Sequence, residues 1–191
     1  QLLETGESEN FEYNLTTTDE LQMNCGGTMK GFIKVFSPFP KLLICGAGHV
    51  GQKLFKVTKT LDFDLKIIDD REELKFDIPE LTLGNFKDIL TKERIDGNTY
   101  IVIVTRGHLL DEEVLNLVKN RGAKYIGIIG SRRKITTLKE NLEKVGKIED
   151  NIYAPIGLKL SNGTPEEIAI EILAEILKIK NNGELIHRTI I

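Results

Sequence analysis

Three glycines with the spacing Gly46-x-Gly48-x-x-Gly51 stand directly after the apolar run Leu42–Cys45. A strand that leads into a glycine-rich turn at the start of a helix presents bare backbone N–H groups to a phosphate. The spacing alone is weak evidence, but the strand before it and the helix-forming residues after it supply the required context. We therefore predict a nucleotide-binding turn, with a purely structural glycine turn as the alternative. Its residues are Gly46, Ala47, Gly48, His49, Val50 and Gly51.

Acidic and basic residues follow the second apolar run, Leu65–Ile68, which leads into Asp69, Asp70 and Arg71. In dinucleotide-binding domains an acidic residue at this strand end accepts a hydrogen bond from a ribose hydroxyl. Asp69 is therefore predicted to bind a ribose, and the alternative is an acid at the start of a helix. Arg71 is either a phosphate ligand or an ordinary surface residue.

Two histidines lie in loops that follow predicted strands. His49 belongs to the glycine turn, and the loop after the third long strand consists of Thr105, Arg106, Gly107 and His108. The carboxyl ends of parallel strands meet at one edge of a sheet, so we expect both histidines at the edge where ligands bind. Asp111, a few residues further on, is predicted to be the N-cap of the next helix.

The loop after the fourth long strand is basic, and it consists of Gly130, Ser131, Arg132, Arg133 and Lys134. Cations at the start of a helix oppose its dipole by roughly 0.3–1 kcal/mol each. An anion held between the helix N–H groups and Arg132 or Arg133 would reverse that penalty, so we predict an anion site here. The alternative is a solvated basic turn in which Ser131 caps the helix.

The elements that must bring these loops together are predicted from Lys41 onward. Four continuous apolar runs indicate parallel strands covered on both faces. They are Leu42–Cys45, Leu65–Ile68, Tyr100–Val104 and Tyr125–Ile129, with a short strand at Ile152–Ala154 and a weaker candidate at Leu81–Leu83. Helical segments follow Gly48, Leu110 and Ser131. This alternation predicts an α/β fold, a Rossmann-like doubly wound parallel sheet.

The last helix has the clearest start signal. Thr164, Pro165 and Glu167 supply an N-cap, a proline at the first helical position and a capping-box glutamate. The broad apolar face that follows predicts a helix packed on the sheet.

Residues 1–36 have a different pattern from the rest of the chain. Two runs of alternating polarity predict two strands, and two strands without a helix cannot bury a core. We therefore predict that residues 1–36 are the β-rich tail of an incomplete N-terminal domain, residues 37–40 a linker, and residues 41–191 a Rossmann-type domain. Between the two runs, Cys25 precedes Gly26 and Gly27, and an accessible thiolate there could bind a transition metal or carry sulfur. Cys45 ends a predicted buried strand and is expected to be structural.

Composition narrows the class of protein. The 191 residues carry a formal net charge of −3, which gives no reason to expect nucleic-acid binding. No apolar run reaches the ~18 residues of a transmembrane helix, so we expect no membrane association. Two cysteines are too few for a disulfide framework and fit a reducing cytoplasm. Because the chain begins at Gln1 rather than a methionine, we expect residues upstream of it.

Taken together, these motifs resemble those of a known family. The segments CGG, FSPFPKLLICGAGHVGQ, IIDDRE, IGSRRK, YAPIGLKL and TPEEIAIEILAEIL are similar, in order, to xanthine dehydrogenase accessory proteins, XdhC/CoxI, over residues 5–180. The resemblance implies a protein that binds molybdenum cofactor, as molybdopterin or its dinucleotide form, protects it and assists its sulfuration. It also implies delivery to a xanthine dehydrogenase-type molybdenum hydroxylase, a cysteine desulfurase as a further partner, and a homodimer.

The resemblance and the loops described above imply one set of cofactor-binding residues. The set comprises Cys25, Gly26, Gly27, Gly46, Ala47, Gly48, His49, Val50, Gly51, Asp69, Asp70, Arg71, Thr105, Arg106, Gly107, His108, Gly130, Ser131, Arg132, Arg133 and Gly157. Cys25 matches the first residue of the family's CGG motif and is the predicted site for molybdenum or its sulfur.

These predictions favour a cytoplasmic maturation factor over a turnover enzyme, with NAD(P) as an optional second ligand. The first alternative is an NAD(P)-dependent oxidoreductase. It is weakened because only 34 residues follow Gly157, which leaves no room for a substrate domain. The second alternative is a nucleotide-sensing regulatory module, which explains the glycine turn but not the basic loop together with CGG.

Overall fold

The computed structural model describes residues 8–14, 28–35, 38–75, 77–145, 150–161 and 163–187. The chain forms two compact units, Gln1–Phe39 and Pro40–Ile191. Three residues predicted to contact the cofactor, Cys25, Gly26 and Gly27, lie outside the described residues.

The first unit contains two antiparallel strands, β1 (Glu9–Asn14) and β2 (Thr28–Ile33). Their register places Phe11 opposite Gly31, and the Phe11 ring occupies the space that a side chain at Gly31 would need. Tyr13 pairs with Met29 in the same register. The two strands predicted from alternating polarity are therefore present.

The second unit alternates strands and helices. Its strands are β3 (Lys41–Cys45), β4 (Asp64–Asp69), β5 (Thr82–Leu83), β6 (Thr99–Ile103), β7 (Tyr125–Ile128) and β8 (Ile152–Tyr153). Its α-helices are α1 (His49–Thr58), α2 (Phe86–Leu90), α3 (His108–Val118), α4 (Arg132–Val145) and α5 (Pro165–Lys180), and a 3-10 helix covers Glu72–Lys75. The strands form one parallel sheet in the order β5-β4-β3-β6-β7-β8. The predicted α/β fold, a Rossmann-like doubly wound sheet, is confirmed.

Both faces of this sheet are covered by helices of the same unit. On one face α1 and α5 bury side chains such as Leu54 and Ile172. On the other face α2, α3 and α4 bury Phe86, Leu115 and Leu138. Every residue of β6 is consequently buried, which is the reason that central parallel strands have continuous apolar sequences.

The strand order determines which edge of the sheet can bind a ligand. Strand β3 is hydrogen-bonded to β4 on one side and to β6 on the other. The chain therefore runs outward from β3 through β4 to β5 and then crosses back to β6, so that the strand order reverses beside β3. In open α/β sheets, ligands bind in the crevice outside the carboxyl ends of the strands at such a point. The loops that follow β3, β4 and β6 all begin at this edge.

The start of α5 agrees with the prediction, and the start of α3 differs from it. Helix α5 has a complete capping box, in which Thr164 Oγ1 accepts the Glu167 N–H at 3.3 Å and the Glu167 carboxylate accepts the Thr164 N–H at 3.1 Å. The predicted N-cap role of Asp111 is wrong. Helix α3 begins earlier, at His108, and its N-cap is Gly107.

Two short helices were not predicted from sequence. The 3-10 helix and α2, five residues long, are too short to show a 3.6-residue repeat. The weak strand candidate at 81–83 corresponds to β5, which pairs with β4. None of the helices in the described part of the chain is both long and apolar enough to cross a membrane.

Candidate functional site

The glycine turn connects β3 to α1, and packing requires two of its glycines. Gly46 has a φ of +117°, and a Cβ there would lie 2.4 Å from the carbonyl oxygen of Val104. A Cβ on Gly51 would lie 1.9 Å from the carbonyl oxygen of Gly46. Side chains at these positions would clash with the backbone of the turn and of the segment after β6. Gly46 and Gly51 are therefore needed for the shape of the turn itself.

Gly48 differs because its surroundings leave room for a side chain. Its φ is −69°, and among the described atoms a Cβ there would meet only Arg71 Nη2, at 3.9 Å. Gly48 is also the N-cap of α1, and it offers no side-chain acceptor to the first N–H groups of that helix. The space beside Gly48 and these N–H groups together form a place where an anion can bind the helix start.

Asp69, the last residue of β4, ties the second loop to the glycine turn. Its Oδ2 accepts the Ala47 N–H at 2.7 Å and Arg71 Nη2 at 2.8 Å. Its Oδ1 accepts the Arg71 backbone N–H at 3.1 Å and Arg71 Nε at 2.8 Å. Burial alone would raise the pKa of Asp69, but the hydrogen bonds from Arg71 and Ala47 outweigh burial and lower that pKa. Asp69 is therefore an anion at neutral pH.

An ion pair joins the loops that follow β4 and β6. Arg106 Nη2 lies 2.9 Å from Asp70 Oδ2. Since β3 stands between β4 and β6, this pair extends across the carboxyl end of β3. His49 and His108 are both exposed, and each is the first residue of a helix that starts at this edge.

A buried ion pair holds the start of α4 against α3. Asp111 is 1% exposed, and its Oδ1 accepts the Thr105 N–H at 3.1 Å and the Thr105 hydroxyl at 2.5 Å. Its Oδ2 accepts Lys134 Nζ, which also donates to the carbonyl of Ile129 at 3.1 Å. Of the three consecutive cations in the basic loop, Lys134 is thus bound to protein acceptors and is not available to a ligand.

Sequence reasoning missed this ion pair, although one signal for it was present. Val114, Leu115 and Val118 are buried on α3, and Asp111 precedes them by three, four and seven residues. An acid in the apolar stripe of a helix indicates a buried, paired carboxylate rather than a cap. No local pattern identifies Lys134 as its partner.

Arg132 and Arg133 are the cations at the start of α4 that stay accessible. Both are exposed, and neither forms an ion pair with any of the described residues. A cleft of about 460 Å³ lies between α3 and α4, and its lining includes His108, Ser131, Arg133, Thr137 and Leu138. Because α3 begins at His108 and α4 at Arg132, two helix starts and an unpaired cation border this cleft. The helix starts and Arg133 favour an anionic group, and Glu112 is an acid in the same lining.

Gly157 follows β8 and is held in place by α5. It has a φ of +93°, and its N–H donates to Glu175 Oε1 at 3.1 Å. The same oxygen accepts the Tyr125 hydroxyl at 2.5 Å. Burial and then the charge of Glu175 raise the pKa of Tyr125, so the phenol stays protonated and donates. Sequence analysis identified Gly157 but neither of the buried residues that position its loop.

The structure sorts the described site residues into two groups at the carboxyl edge of the sheet. One group surrounds the glycine turn and comprises residues 46–51, 69–71 and Arg106. The other group borders the α3–α4 cleft and includes His108, Ser131 and Arg133. Gly157 lies apart from both in the loop after β8. These predicted residues therefore lie at one edge of the sheet, and the structure divides them between the glycine turn and the α3–α4 cleft.

Cys45 lies at the end of β3 and is fully buried. Burial and the charge of Asp111 raise the pKa of Cys45 to about 12, so its thiol is protonated at neutral pH and unreactive. Within the described ranges, no group of three or more His, Cys, Asp and Glu side chains could hold a metal ion. A metal-binding role for Cys25 stays a prediction.

Comparison with known proteins gives related sequences over most of the chain. A family model described as the XdhC Rossmann domain matches residues 42–176. The Escherichia coli K12 protein named "Uncharacterized protein YqeB" is 34% identical over 174 residues, which are 86% of this chain and 32% of that protein. A Bacillus subtilis protein, named as a probable xanthine dehydrogenase subunit, is 25% identical over 158 residues, 80% of this chain and 47% of that protein. The chain thus spans less than half the length of either relative.

A solved structure has the same fold. The crystal structure described as a xanthine dehydrogenase from Bacillus halodurans matches with a TM-score of 0.69 and 24% sequence identity. The match covers 96% of this chain and 62% of that chain. At this level of identity the likeness is evidence for the fold alone.

Proposed function

This chain belongs to the XdhC family of Rossmann domains, and on that basis we propose that it is part of an accessory protein for a xanthine dehydrogenase-type molybdenum hydroxylase. In this role it binds molybdenum cofactor and assists sulfuration and insertion of the cofactor. The observation that carries the proposal is an open glycine turn and an unpaired basic helix start at the same edge of one sheet, within the described part of the chain. The Bacillus subtilis relative, whose name refers to xanthine dehydrogenase, supports this choice of partner.

The residues around the glycine turn fit a phosphate-bearing ligand. The space beside Gly48 can admit a phosphate, and no side chain caps the first N–H groups of α1, which can therefore donate to that anion. Molybdopterin carries a phosphate, and its dinucleotide form carries a pyrophosphate. The turn would hold this group, and Arg132 with Arg133 would hold a second anionic part of the ligand. When bound, the cofactor supplies the molybdenum centre that the recipient enzyme needs.

The hydrogen bonding of the buried acids supports binding rather than turnover. Asp69 and Asp111 each accept hydrogen bonds on both carboxylate oxygens, and Cys45 is buried. Among the described residues at this edge, His49 and His108 are exposed, and neither is hydrogen-bonded to an acid that would orient it for proton transfer. We therefore propose a maturation factor rather than an enzyme that transfers a hydride.

The direct test is retention of pterin by the full chain. The protein is incubated with molybdenum cofactor, desalted, oxidised and assayed for the fluorescent pterin product. We expect about one pterin per chain. No retained pterin, with NAD(P)H bound instead, would overturn the proposal in favour of an oxidoreductase or a nucleotide sensor.

Two charge-matched double variants test the basic helix start. Arg132→Ala with Arg133→Ala removes two exposed cations beside the cleft, whereas Arg94→Ala with Lys139→Ala removes two exposed cations elsewhere. The first pair should weaken pterin binding at least about tenfold, because charge-assisted hydrogen bonds are lost. The control pair should bind as wild type does. Equal affinity of the two double variants would remove Arg132 and Arg133 from the site.

The role of Cys25 is tested in the same assay. Cys25→Ala should retain pterin and release molybdenum or its sulfur if the thiolate is their ligand. Metal and sulfur contents equal to those of wild type would exclude that role.

A further inference from the structure

Asp69 has no hydrogen-bonding capacity left for a ribose. A carboxylate accepts about four hydrogen bonds, two on each oxygen. Oδ1 already accepts the backbone N–H and Nε of Arg71, and Oδ2 accepts the Ala47 N–H and Nη2 of Arg71. An acid that binds a ribose diol in a dinucleotide site keeps its oxygens available for those hydroxyls. In this chain the acid at the same strand end is fully occupied by protein donors.

The occupancy of Asp69 is difficult to reverse. Asp69 is 2% exposed, and the guanidinium of Arg71 binds it through two parallel N–H···O bonds of 2.8 Å. Pairs of this bidentate kind are among the strongest hydrogen-bonded contacts in proteins. A ribose diol would have to displace Arg71 and then offer neutral hydroxyls in place of a guanidinium.

The same contacts place Arg71 beside the glycine turn. Arg71 Nη2 lies 3.9 Å from the position that a Cβ on Gly48 would take, so the guanidinium borders the open space at the start of α1. Asp69 uses Nε and one N–H of Nη2, and no described residue accepts a hydrogen bond from Nη1. The remaining N–H groups of Arg71 are available to an anion in that space.

We propose that the glycine turn of this domain recognises the phosphate end of its ligand and not a ribose diol. Asp69 is a positioning residue that holds Arg71 over Gly48, and Arg71 donates to a phosphomonoester or pyrophosphate bound at the start of α1. This inference rests on the proposed function for its ligand class, a phosphate-bearing cofactor. It adds that the contact is made through phosphate, so that nucleotides with and without ribose hydroxyls bind alike.

Calorimetric titration of the full chain with three probes tests the proposal. The probes are inorganic pyrophosphate, ADP and 2′,3′-dideoxy-ADP. We expect measurable binding of all three by wild type, with ADP and dideoxy-ADP within about twofold of each other. Arg71→Gln should weaken all three about tenfold, and Arg94→Gln, a change of an exposed arginine paired with Asp96, should have no effect. Asp69→Asn should weaken all three severalfold while the ratio of ADP to dideoxy-ADP stays near one.

The ratio of the affinities for ADP and dideoxy-ADP shows whether Asp69 positions Arg71 or binds a ribose. The proposal would be overturned if wild type bound dideoxy-ADP at least tenfold more weakly than ADP and Asp69→Asn removed that difference. Unchanged binding of pyrophosphate by a folded Arg71→Gln protein would overturn it as well. Arg71→Lys keeps a positive charge and serves if the glutamine variant does not fold, and it should retain part of the pyrophosphate affinity. Pterin retention with wild-type affinity in Arg71→Gln would leave the maturation role intact and reject this inference alone.

Discussion

Gly48 and Gly51 are glycines for different reasons, and substitution should separate them. A Cβ on Gly51 would lie 1.9 Å from a backbone oxygen, whereas a Cβ on Gly48 meets only the tip of Arg71 at 3.9 Å among the described atoms. Gly51→Ala should lower the free energy of unfolding by at least about 2 kcal/mol, since the backbone itself must move. Gly48→Ala should cost less than about 1 kcal/mol and should still reduce pyrophosphate binding about tenfold.

Urea denaturation followed by far-ultraviolet circular dichroism measures both stabilities. Gly97→Ala is the matched control, because no described atom lies within 4 Å of a Cβ at Gly97. Equal losses of stability at Gly48 and Gly51, or undiminished pyrophosphate binding by Gly48→Ala, would contradict this account of the turn.

Asp69 should make stability depend on pH in the acid range. Its pKa in the folded protein is lowered by Arg71 and Ala47 despite burial, and in the unfolded chain an aspartate has a pKa of about 3.9. The ionised Asp69 carboxylate therefore stabilises the folded state fully above about pH 4. This contribution is lost as the pH falls through the lowered pKa that Asp69 has in the folded state. Asp69→Asn removes this contribution, about 2 kcal/mol at pH 7 for charge-assisted hydrogen bonds.

Urea unfolding of wild type and Asp69→Asn at intervals from pH 7 to pH 2 checks this prediction. The difference in unfolding free energy between the two proteins should narrow at the acid end. Asp88→Asn, which changes an exposed acid on α2, is the control and should stay parallel to wild type. Parallel curves for Asp69→Asn would show that the ion pair with Arg71 contributes nothing to folding.

Among the secondary-structure elements, α3 and α4 are joined by the buried ion pair of Asp111 and Lys134. Lys134→Met should lower the free energy of unfolding by about 2–3 kcal/mol, because it leaves the Asp111 carboxylate charged and buried without its cation. Arg133→Met, at the adjacent exposed position, should change it by less than about 0.5 kcal/mol. Adding Asp111→Asn to Lys134→Met should restore part of the loss, since the amide oxygen still accepts from Thr105. Urea unfolding of wild type, Lys134→Met, Asp111→Asn and the double variant gives the coupling, and additive losses would contradict a direct interaction.

Helix α5 holds the loop after β8 through three glutamates spaced four residues apart. Glu175 accepts the Gly157 N–H, Glu171 accepts the N–H groups of Leu160 and Ser161, and Glu167 accepts the N–H of Thr164. The four-residue spacing puts all three carboxylates on one side of the helix, so α5 determines the conformation of the loop.

Removal of the middle glutamate should release only the middle of this loop. Glu171→Ala should speed amide hydrogen exchange at Leu160 and Ser161 about tenfold, equivalent to about 1.4 kcal/mol of lost protection, and leave Gly157 unchanged. Glu166→Ala, which removes an acid paired with Lys53 instead, should leave the exchange of all three amides as in wild type. Uniform acceleration along the loop in Glu171→Ala would show that the glutamates act as one unit.

At the scale of the whole molecule, the unit Pro40–Ile191 has the features of an independently folding domain. Both faces of its sheet are covered by its own helices, and its two apolar clusters are made of its own residues. A protein consisting of residues 40–191 should therefore unfold cooperatively in urea and bind pyrophosphate with the affinity of the full chain. Residues 1–39 alone should show no cooperative transition, because the part of them that the structure describes is a two-stranded sheet, which is marginal in water. A non-cooperative transition of the 40–191 protein would show that its core is incomplete.

Much of the fold and part of the site were accessible from sequence. The strands of the parallel sheet, the glycine turn and the capping box of α5 are encoded by residues close together in the chain. A short apolar run, a Gly-x-Gly-x-x-Gly spacing or a Thr-Pro-x-Glu start has its physical effect within a few residues. The family resemblance rests on the same local segments, and the matched range of residues 42–176 contains them.

The partners of the charged side chains were decided by the tertiary structure. Arg106 pairs with Asp70 across 36 residues, Lys134 with Asp111 across 23, and Tyr125 with Glu175 across 50. No local repeat encodes such pairs, because they form only when the sheet order brings distant loops to one edge. Asp69 shows the consequence. Local sequence places an acid at the end of β4 beside a glycine turn, and only the folded chain shows Arg71 and Ala47 occupying both oxygens of that acid.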